Sequence, residues 1–226
     1  MYSSFSLLLQ ITNRFRHPEG LAVDWDGFVF VADAGNHAIR VISPFGRVTT
    51  LVGDGVAGSR DGKHARFSYP SNLAIWRSLD DREKSILSIF VVDTGNHRIR
   101  KISLSETLTN DGEKHFNVTG VECFAGLCAN ETTPQSGYGN GHGGIARFSS
   151  PRDIAVDGQG NLFVTDTNNH LIRIINASGH VERLAGSTRI GEVSNCTNIK
   201  FKTFFTLWIL LFLMVMIHRL RWMGHL

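Results

Sequence analysis

A short pattern of Asp, Asn, His and Arg recurs along the chain, and it constrains the fold more than any other feature. Its copies read DAGNHAIRVI, DTGNHRIRKI and DTNNHLIRII, and they begin at Asp33, Asp93 and Asp166. Each copy lies in a longer frame that opens with an Arg-Phe pair and a proline. The matching triplets are Arg14, Phe15 and Pro18; Arg66, Phe67 and Pro70; and Arg147, Phe148 and Pro151. Such repetition indicates one supersecondary unit that is used several times.

Each unit reads as four short strands. In the first copy, residues 21–24, 28–33, 38–43 and 48–53 are apolar or rich in β-forming residues, and the segments WDG, AGNH and PFG between them are turn-like. Four antiparallel strands per repeated unit are the pattern of a propeller blade, which packs on neighbouring blades with both faces. We therefore expect an all-β chain with about three four-stranded blades over residues 14–187, preceded by an N-terminal segment at 1–13.

The DxxNHxIR core, the RFxxP segment before it and the LAG-type segment after it resemble NHL repeats. The resemblance implies an NHL-type β-propeller, commonly six-bladed, in a family that includes protein-binding and RNA-binding scaffolds. Sugar-lactonase and peptide-amidating lyase propellers have a related architecture. Three blades are fewer than the four to eight with which propellers close. The array is then a fragment of a longer propeller, which we favour, or it pairs with another copy, or it stays an open arc.

The recurring polar residues predict structural roles, because a catalytic site needs different residues that converge once on one substrate. We expect each aspartate to accept hydrogen bonds from amides of the turn that follows, and Gly95 or Asn96 to adopt the left-handed conformation. Each arginine lies on the third strand, where its stem packs between blades and its head meets an acid. These structural residues are Asp33, His37, Arg40, Asp93, His97, Arg100, Asp166, His170 and Arg173.

The middle unit is longer than the others in two places, between strands 1 and 2 and between strands 3 and 4. In an up-and-down blade both loops emerge on the same side, so we predict one raised patch of mixed charge. The patch is either a site for a protein partner or a neutral surface insertion. Its charged residues are Arg77, Asp80, Asp81, Arg82, Glu83, Lys84, Glu106, Asp111, Glu113 and Lys114.

A glycine-rich segment before the third unit fits G-x-G-x-x-G at residues 139–144. A dinucleotide fingerprint follows a strand and opens a helix, whereas this segment leads into ARFSSP and another strand. We therefore interpret Gly139 and Gly143 as connector glycines, equivalent to Gly58 and Gly62 in the preceding linker.

A metal-dependent enzyme is the alternative function. It would hold Ca or Zn in the central channel, which the first strand of each blade lines. Asp24 and Asp157 occupy equivalent positions at the ends of those strands, and Trp76 stands at the third. Two acids without a distinct third ligand form a weak metal site. We therefore assign no catalytic residue and no cofactor, and favour a non-catalytic scaffold for protein-protein interaction.

The cysteines and glycosylation sequons bear on location. Cys123 and Cys128 either close a small disulfide loop or remain free thiols, and Cys196 has no Cys or His at metal-binding spacing. Asn-X-Ser/Thr triplets begin at Asn117, Asn130, Asn176 and Asn195, and we expect the first three in loops. These features favour an extracellular or lumenal location, although the N-terminal segment lacks the basic region of a signal peptide.

An apolar segment follows the repeats. After a linker at residues 188–202, residues 203–217 carry no charge. As a helix they would be roughly 22 Å long, somewhat short of a hydrocarbon core about 30 Å thick. We predict a single membrane-spanning helix at 203–222 and a tail at 223–226, with a buried segment, or sequence foreign to the repeat array, as alternatives. Lys200, Lys202, Arg219 and Arg221 flank the segment.

The charge distribution argues against a nucleic-acid partner. The chain has 23 Lys and Arg against 20 Asp and Glu. The small excess comes from the C-terminal part, which carries Arg189, Lys200, Lys202, Arg219 and Arg221 against Glu192. The repeats are therefore near neutral, whereas a nucleic-acid binder needs a basic face. The oligomeric state is open at this point.

Overall fold

The computed structural model describes residues 14–79, 85–109, 112–128 and 135–188. Within these ranges the chain is all β, and its helical segments are single 3-10 turns. None of the helices in the described ranges has the length and apolarity needed to cross a membrane. The N-terminal segment at 1–13, most of the linker at 188–202, the predicted helix at 203–222 and the tail at 223–226 lie outside them. The C-terminal helix thus stays a prediction.

Three antiparallel sheets follow one another along the chain. Blade 1 contains β1 (Pro18–Val23), β2 (Val29–Asp33), β3 (Ala38–Ile42) and β4 (Val48–Val52). Blade 2 contains β5 (Pro70–Leu79), β6 (Ser85–Asp93), β7 (Arg98–Leu108) and β8 (Lys114–Ala125). Blade 3 contains β10 (Pro151–Val156), β11 (Leu162–Asp166), β12 (Leu171–Ile175) and β13 (His180–Gly186), and β9 (Gly141–His142) from the connector pairs with β13 as a fifth strand. The sequence therefore predicts the strand order and most strand bounds correctly.

The blades pack face to face through two hydrophobic cores. Strand β6 belongs to both, because its side chains alternate between the faces of the sheet. Leu87, Ile89 and Val91 lie in the core shared with blade 1, whereas Phe90 and Val92 lie in the core shared with blade 3. This explains why the second strand of each unit is apolar almost throughout. Each fully buried side chain of this size contributes about 1.5–3 kcal/mol.

The extra residues of blade 2 lengthen its strands, so the prediction that they form two enlarged loops is wrong. Strand β5 pairs with β6 as far as Leu79 and Ser85, and β7 pairs with β8 as far as Leu108 and Lys114. The added residues continue the backbone ladder, which satisfies amides and carbonyls that a loop would leave open. The predicted patch residues Arg77, Glu106 and Lys114 therefore lie on strands, and Glu113 just before β8. Asp80, Asp81, Arg82, Glu83, Lys84 and Asp111 fall outside the described residues.

The structure of the connector before blade 3 shows that one of the predicted equivalences between glycines is wrong. The amides of Gly58 and Gly137 donate to the carbonyls of Phe67 and Phe148 at 3.0 and 2.9 Å, so Gly137 is the counterpart of Gly58. Gly139 instead corresponds to Arg60, because their carbonyls both accept a hydrogen bond from the arginine of the following blade. The error arose because the longer connector shifts the alignment.

Close packing explains one glycine of this connector. A side chain at Gly143 would meet the carbonyl oxygen of Phe124 on β8. The same segment is tied to the end of blade 2, since Gly126 donates to the carbonyl of Gly143 at 2.9 Å. Both contacts place Gly143 in a structural connector, as the sequence suggests.

Candidate binding surface

The aspartate of each repeat holds the chain segment that precedes its own blade. Asp33, Asp93 and Asp166 are fully buried. One carboxylate oxygen of each accepts a 2.7 Å hydrogen bond from a backbone amide two residues before the proline of the frame. The other oxygen accepts from the asparagine three positions later, at 2.7–2.9 Å. The expected acceptance from amides of the following turn is therefore wrong, because the carboxylate points back to the RFxxP segment.

The histidine of each repeat adopts the left-handed conformation that we expected at Gly95 or Asn96. Its φ is 52° at His37, 53° at His97 and 56° at His170. Gly95 has a different reason to be glycine, since its position packs closely on the RFxxP segment. A side chain there would meet Ser68, and one at the equivalent Gly35 would lie 2.7 Å from the carbonyl oxygen of Arg16. In the turns of blades 1 and 2, close packing therefore requires the glycine, and the left-handed conformation is adopted by the histidine two positions later.

The arginine of each repeat completes the cluster. Arg100 and Arg173 are fully buried, and their Nη1 atoms lie 3.1 and 2.9 Å from the aspartates of their own blades. Their guanidinium groups lie over the rings of Phe67 and Phe148, at 5.1 and 5.2 Å. Backbone carbonyls of the preceding connector also accept from them, as at Arg60 and Arg66 for Arg100, and side chains of the connector add further acceptors, as Asp61 does for Arg100. Arg40 of blade 1 likewise lies 3.6 Å from its aspartate and over Phe15.

Burial sets the electrostatics of this cluster. Removal from water raises the pKa of Asp93 to about 6, although Arg100, Asn96 and the Ser68 amide all favour its ionised form. The carboxylate is enclosed by its own blade and has no open path to a substrate. The aspartate, the arginine and the asparagine of the motif therefore all join strand 2, the turn, strand 3 and the RFxxP segment.

The histidines join one blade to the next. The Nδ1 atom of His37 accepts a 3.1 Å hydrogen bond from the amide of Tyr69, and Nδ1 of His97 accepts a 3.0 Å bond from the amide of Ser150. Burial lowers the pKa of both imidazoles. The neutral form is also the one that these contacts need, because only an unprotonated nitrogen accepts.

The two candidate metal ligands act inside their own turns. Asp24 accepts from the amides of Asp26 and Phe28 at 2.9 and 3.1 Å, and Asp157 accepts from those of Gln159 and Asn161 at 2.9 and 2.8 Å. Burial acts to raise the pKa of Asp157, but these hydrogen bonds hold it below its ordinary value. At the third position Trp76 packs over the blade 3 turn, where a side chain at Gly160 would lie 2.6 Å from its ring.

No group of three or more His, Cys, Asp or Glu side chains in the described ranges has the arrangement of a metal site. Asp24 and Asp157 each serve a turn in a different blade.

A disulfide joins Cys123 at the end of β8 to Cys128. Two sequons lie in described regions. Asn176 lies in the exposed turn between β12 and β13, as expected, whereas Asn117 lies on an exposed face of β8 and not in a loop. The longer strands of blade 2 account for this difference. Asn130, Asn195 and Cys196 fall outside the described residues.

A group of charged side chains links blades 1 and 2 at the end where strands 1–2 and 3–4 turn. We call it the charge cluster: Asp24, Asp26, Arg77, Glu106 and Lys114. Arg77 lies 2.6 Å from Glu106 and 3.0 Å from Asp24, and Lys114 contacts both Glu106, at 2.8 Å, and Asp26. The hydrogen bond from Lys114 lowers the pKa of Asp26. Burial acts to raise the pKa of Glu106, but the bonds from Lys114 and Arg77 hold it low.

Four large apolar side chains surround the charge cluster in solvent. Trp25 and Phe45, in the 1–2 and 3–4 turns of blade 1, are 93% and 85% exposed. Leu79 and Leu108, at the corresponding ends of β5 and β7 in blade 2, are 69% and 73% exposed. We call these four residues together with the charge cluster the tip surface. Our sequence reasoning missed its aromatic part, although the WDG and PFG turns of blade 1 each display an aromatic residue.

Phe116 fixes the extended part of blade 2 against blade 1 beneath the tip surface. Its ring lies 4.9 Å from that of Phe28 and 5.2 Å from that of Phe30, both edge to face. A cavity of about 100 Å³ lies beside it, lined in part by Phe28, Arg47 and Lys114. Pockets for drug-sized ligands have volumes of about 300–1,000 Å³. The cavity beside Phe116 is therefore smaller than a typical pocket for a drug-sized ligand.

Four-stranded antiparallel sheets that repeat along the chain and pack face to face define a β-propeller type of protein. The model of the NHL repeat family matches residues 15–42 and 148–175, which fall in blades 1 and 3. The chain therefore carries NHL repeats, and the resemblance seen in the sequence is confirmed. The unmatched middle unit is the one with lengthened strands.

Relatives share the repeats over a limited part of their length. The chain is 38% identical over 94 residues to Protein SUPPRESSOR OF QUENCHING 1, chloroplastic, of Arabidopsis thaliana, covering 40% of this chain and 8% of that protein. It is 37% identical over 106 residues to NHL repeat-containing protein 2 of Bos taurus, covering 44% of this chain and 13% of the relative. The matched part is thus about a tenth of the length of these relatives.

Solved structures show weaker similarity. An auxiliary nutrient binding protein from Bacteroides thetaiotaomicron aligns with a TM-score of 0.48 and 15% identity, covering 74% of this chain and 35% of that one. Virginiamycin B lyase from Staphylococcus aureus aligns with a TM-score of 0.33 and 16% identity, covering 76% and 57%. We transfer no function from either structure.

Proposed function

We propose that the chain is a non-catalytic NHL-repeat scaffold that binds a protein partner through the tip surface. One observation carries the proposal. The aspartate, asparagine and arginine of each repeat are engaged within their own blade and its preceding segment, and His37 and His97 join one blade to the next. The residues that distinguish blades 1 and 2 from blade 3 instead collect at one exposed end. In blade 3 the corresponding turns read DGQG and NASG, without an aromatic residue.

The composition of the tip surface favours a protein over a nucleic acid. Exposed aromatic side chains such as Trp25 and Phe45 belong to the residue types that are enriched in protein interfaces. The charge cluster holds three acids and two bases, and these side chains neutralise one another across the boundary between blades 1 and 2. A phosphate backbone would instead require an excess of unpaired Lys and Arg.

The charge cluster also keeps the anchors in place. Arg77 is three-quarters buried and bridges Glu106 of its own blade to Asp24 of blade 1. Because the contact between Arg77 and Asp24 crosses between blades, it fixes the turn that carries Trp25 relative to the end of β5 that carries Leu79. A preformed arrangement of anchors lowers the ordering cost of association.

The experiment is a comparison of captured proteins from a native membrane extract. Trp25→Ala combined with Phe45→Ala should remove the partner that the wild-type chain retains, because both anchors are lost while their exposure leaves the cores intact. Ile145→Ala is the matched control, since Ile145 is 67% exposed but lies in the connector before blade 3. Identical captured proteins for all three chains would contradict the proposal.

Membrane attachment is the second part of the proposed function. It is supported by the uncharged run at residues 203–217 and the basic residues on both sides of it. The disulfide between Cys123 and Cys128 supports an extracellular or lumenal position for the blades, since disulfides persist in oxidising compartments. Glycosylation at Asn176, in its exposed turn, would agree with the same location.

A further inference from the structure

The same contact forms at both boundaries between neighbouring blades. Each contact joins two different halves. One half is the trailing face, which is the side of a blade that meets the next blade along the chain. In blades 1 and 2 it presents a phenylalanine of strand 2, an isoleucine of strand 3 and the histidine of the motif. The other half is the leading face, which presents an apolar residue of strand 1 and a backbone amide beside the proline.

The pairings are the same at both boundaries. Between blades 1 and 2, Phe30, Ile39 and Leu73 lie in one core, and His37 accepts from the amide of Tyr69. Between blades 2 and 3, Phe90, Ile99 and Ile154 lie in one core, and His97 accepts from the amide of Ser150. The two halves are therefore complementary in shape and in hydrogen bonding.

Blade 3 presents a trailing face that no described residue covers. Phe163 and Ile172, the counterparts of Phe30 and Ile39, are only partly buried, and His170 is exposed. The φ of His170 is 56°, close to that of the paired histidines, so its backbone already has the conformation found at the two internal boundaries. No amide in the described ranges donates to it.

Blade 1 presents an open leading face. Leu21 and Val23 are 63% and 58% exposed, whereas Leu73 and Ile154 at the position of Leu21 are 3% and 6% exposed. His17 stands at the position of Tyr69 and Ser150, and the three share a φ of 47–48°. Its amide is therefore presented in the same way as the two that bind a histidine.

We propose that the trailing face of blade 3 binds the leading face of blade 1 of a second copy of the chain, so that two copies associate head to tail at both ends. The chain itself holds both complementary halves, and the boundary is already formed twice within it. The described parts of two copies joined in this way contain six blades, within the four to eight of closed propellers, and a heterologous contact that closes forms a ring. His170 then accepts from the amide of the partner copy's blade 1, where His37 and His97 accept within the chain.

The test measures the mass of the full chain in detergent by light scattering or sedimentation equilibrium. We expect twice the 25.1 kDa of one chain, with no larger species as concentration rises. Leu21→Glu on the leading face and Ile172→Glu on the trailing face should each reduce the mass to that of one chain, because Ile39 and Ile99, the counterparts of Ile172, are fully buried at the internal boundaries. Val56→Glu is the control and should leave the mass unchanged, because Val56 is exposed on the connector after blade 1.

Mixing the two variants is the decisive step. Their mixture regains one intact boundary, formed by the leading face of the Ile172→Glu copy and the trailing face of the Leu21→Glu copy. Dimers should therefore reappear in the mixture although each variant alone is monomeric, and this recovery also shows that both variants are folded. The proposal fails if the wild type is monomeric, if Leu21→Glu stays dimeric as association through residues 203–217 would predict, or if the mixture shows no recovery.

Discussion

Replacing Asp93 by alanine tests the structural interpretation of the motif most directly. The carboxylate is fully buried and accepts from the Ser68 amide at 2.7 Å, from Asn96 at 2.7 Å and from Arg100 at 3.1 Å. Loss of one partner of a buried ion pair costs about 3–5 kcal/mol, and the orphaned amide adds to this. Because Asp61 and the carbonyls of the connector still accept from Arg100, we expect the lower end, about 3 kcal/mol.

The assay is urea unfolding of the wild type and the variant at pH 7. Asp157→Ala is the matched control, since Asp157 also accepts backbone amides but lies partly exposed in a turn, and it should cost about 1 kcal/mol. Partner capture should survive in Asp93→Ala molecules that remain folded. A variant with wild-type stability and no partner capture would refute the structural role and make Asp93 a binding residue.

The raised pKa of Asp93 adds a dependence on pH with a definite sign. The folded pKa of about 6 lies above the ordinary value of 3.8, so the folded state binds more protons between these values. The contribution of this group is therefore fully present below about pH 4 and is lost as pH rises through about 6, by about 3 kcal/mol. Relative to Asp93→Asn, the wild type should gain stability on going from pH 7 to pH 4. A constant difference between the two would contradict the burial argument.

Three further predictions follow from the same contacts. Gly35→Ala should destabilise by about 1–3 kcal/mol in urea unfolding, because its Cβ would overlap the Arg16 carbonyl, whereas Gly144→Ala, with open space around it, should have little effect. His97→Ala should cost about 1 kcal/mol above pH 6.5, and the difference from wild type should shrink as pH falls, because the lowered pKa makes this contribution disappear in acid. The full chain should resist carbonate extraction from membranes, whereas a chain ending at Ser187 should be released; equal release of both would exclude the membrane-spanning helix.

Much of the fold could be predicted because repetition averages out local ambiguity. A single run such as that of β2 does not distinguish a strand from a buried helix, but three runs at one register, each followed by the same turn, favour one answer. The alternation of β6 between two cores then explains why its run from Ile89 to Val92 is apolar throughout. The lengthened strands of blade 2 were not predictable in this way, since added residues that continue a ladder resemble an inserted loop when the copies are aligned.

The candidate site was harder to predict, because its parts come from different blades. Trp25 and Phe45 each look like an ordinary turn residue, and only packing of blade 1 on blade 2 brings them beside Arg77 and Lys114. Arg77, Glu106 and Lys114 were grouped from the sequence, because the middle unit is longer than the other two. Their pairing with Asp24 and Asp26 depends on the boundary between blades, which leaves no local signal in the sequence.

The histidines show how a local strain and a contact between blades depend on each other. A left-handed backbone costs a residue other than glycine about 1 kcal/mol or more, and each internal boundary contains two such residues, His37 with Tyr69 and His97 with Ser150. At each boundary the hydrogen bond between them offsets part of that cost. Asparagine would tolerate the conformation better, but its short side chain would not carry an acceptor as far toward the next blade. The histidine is therefore favoured where a neighbouring blade is present, and at His170 the same strain persists without that contact in the described part of the chain.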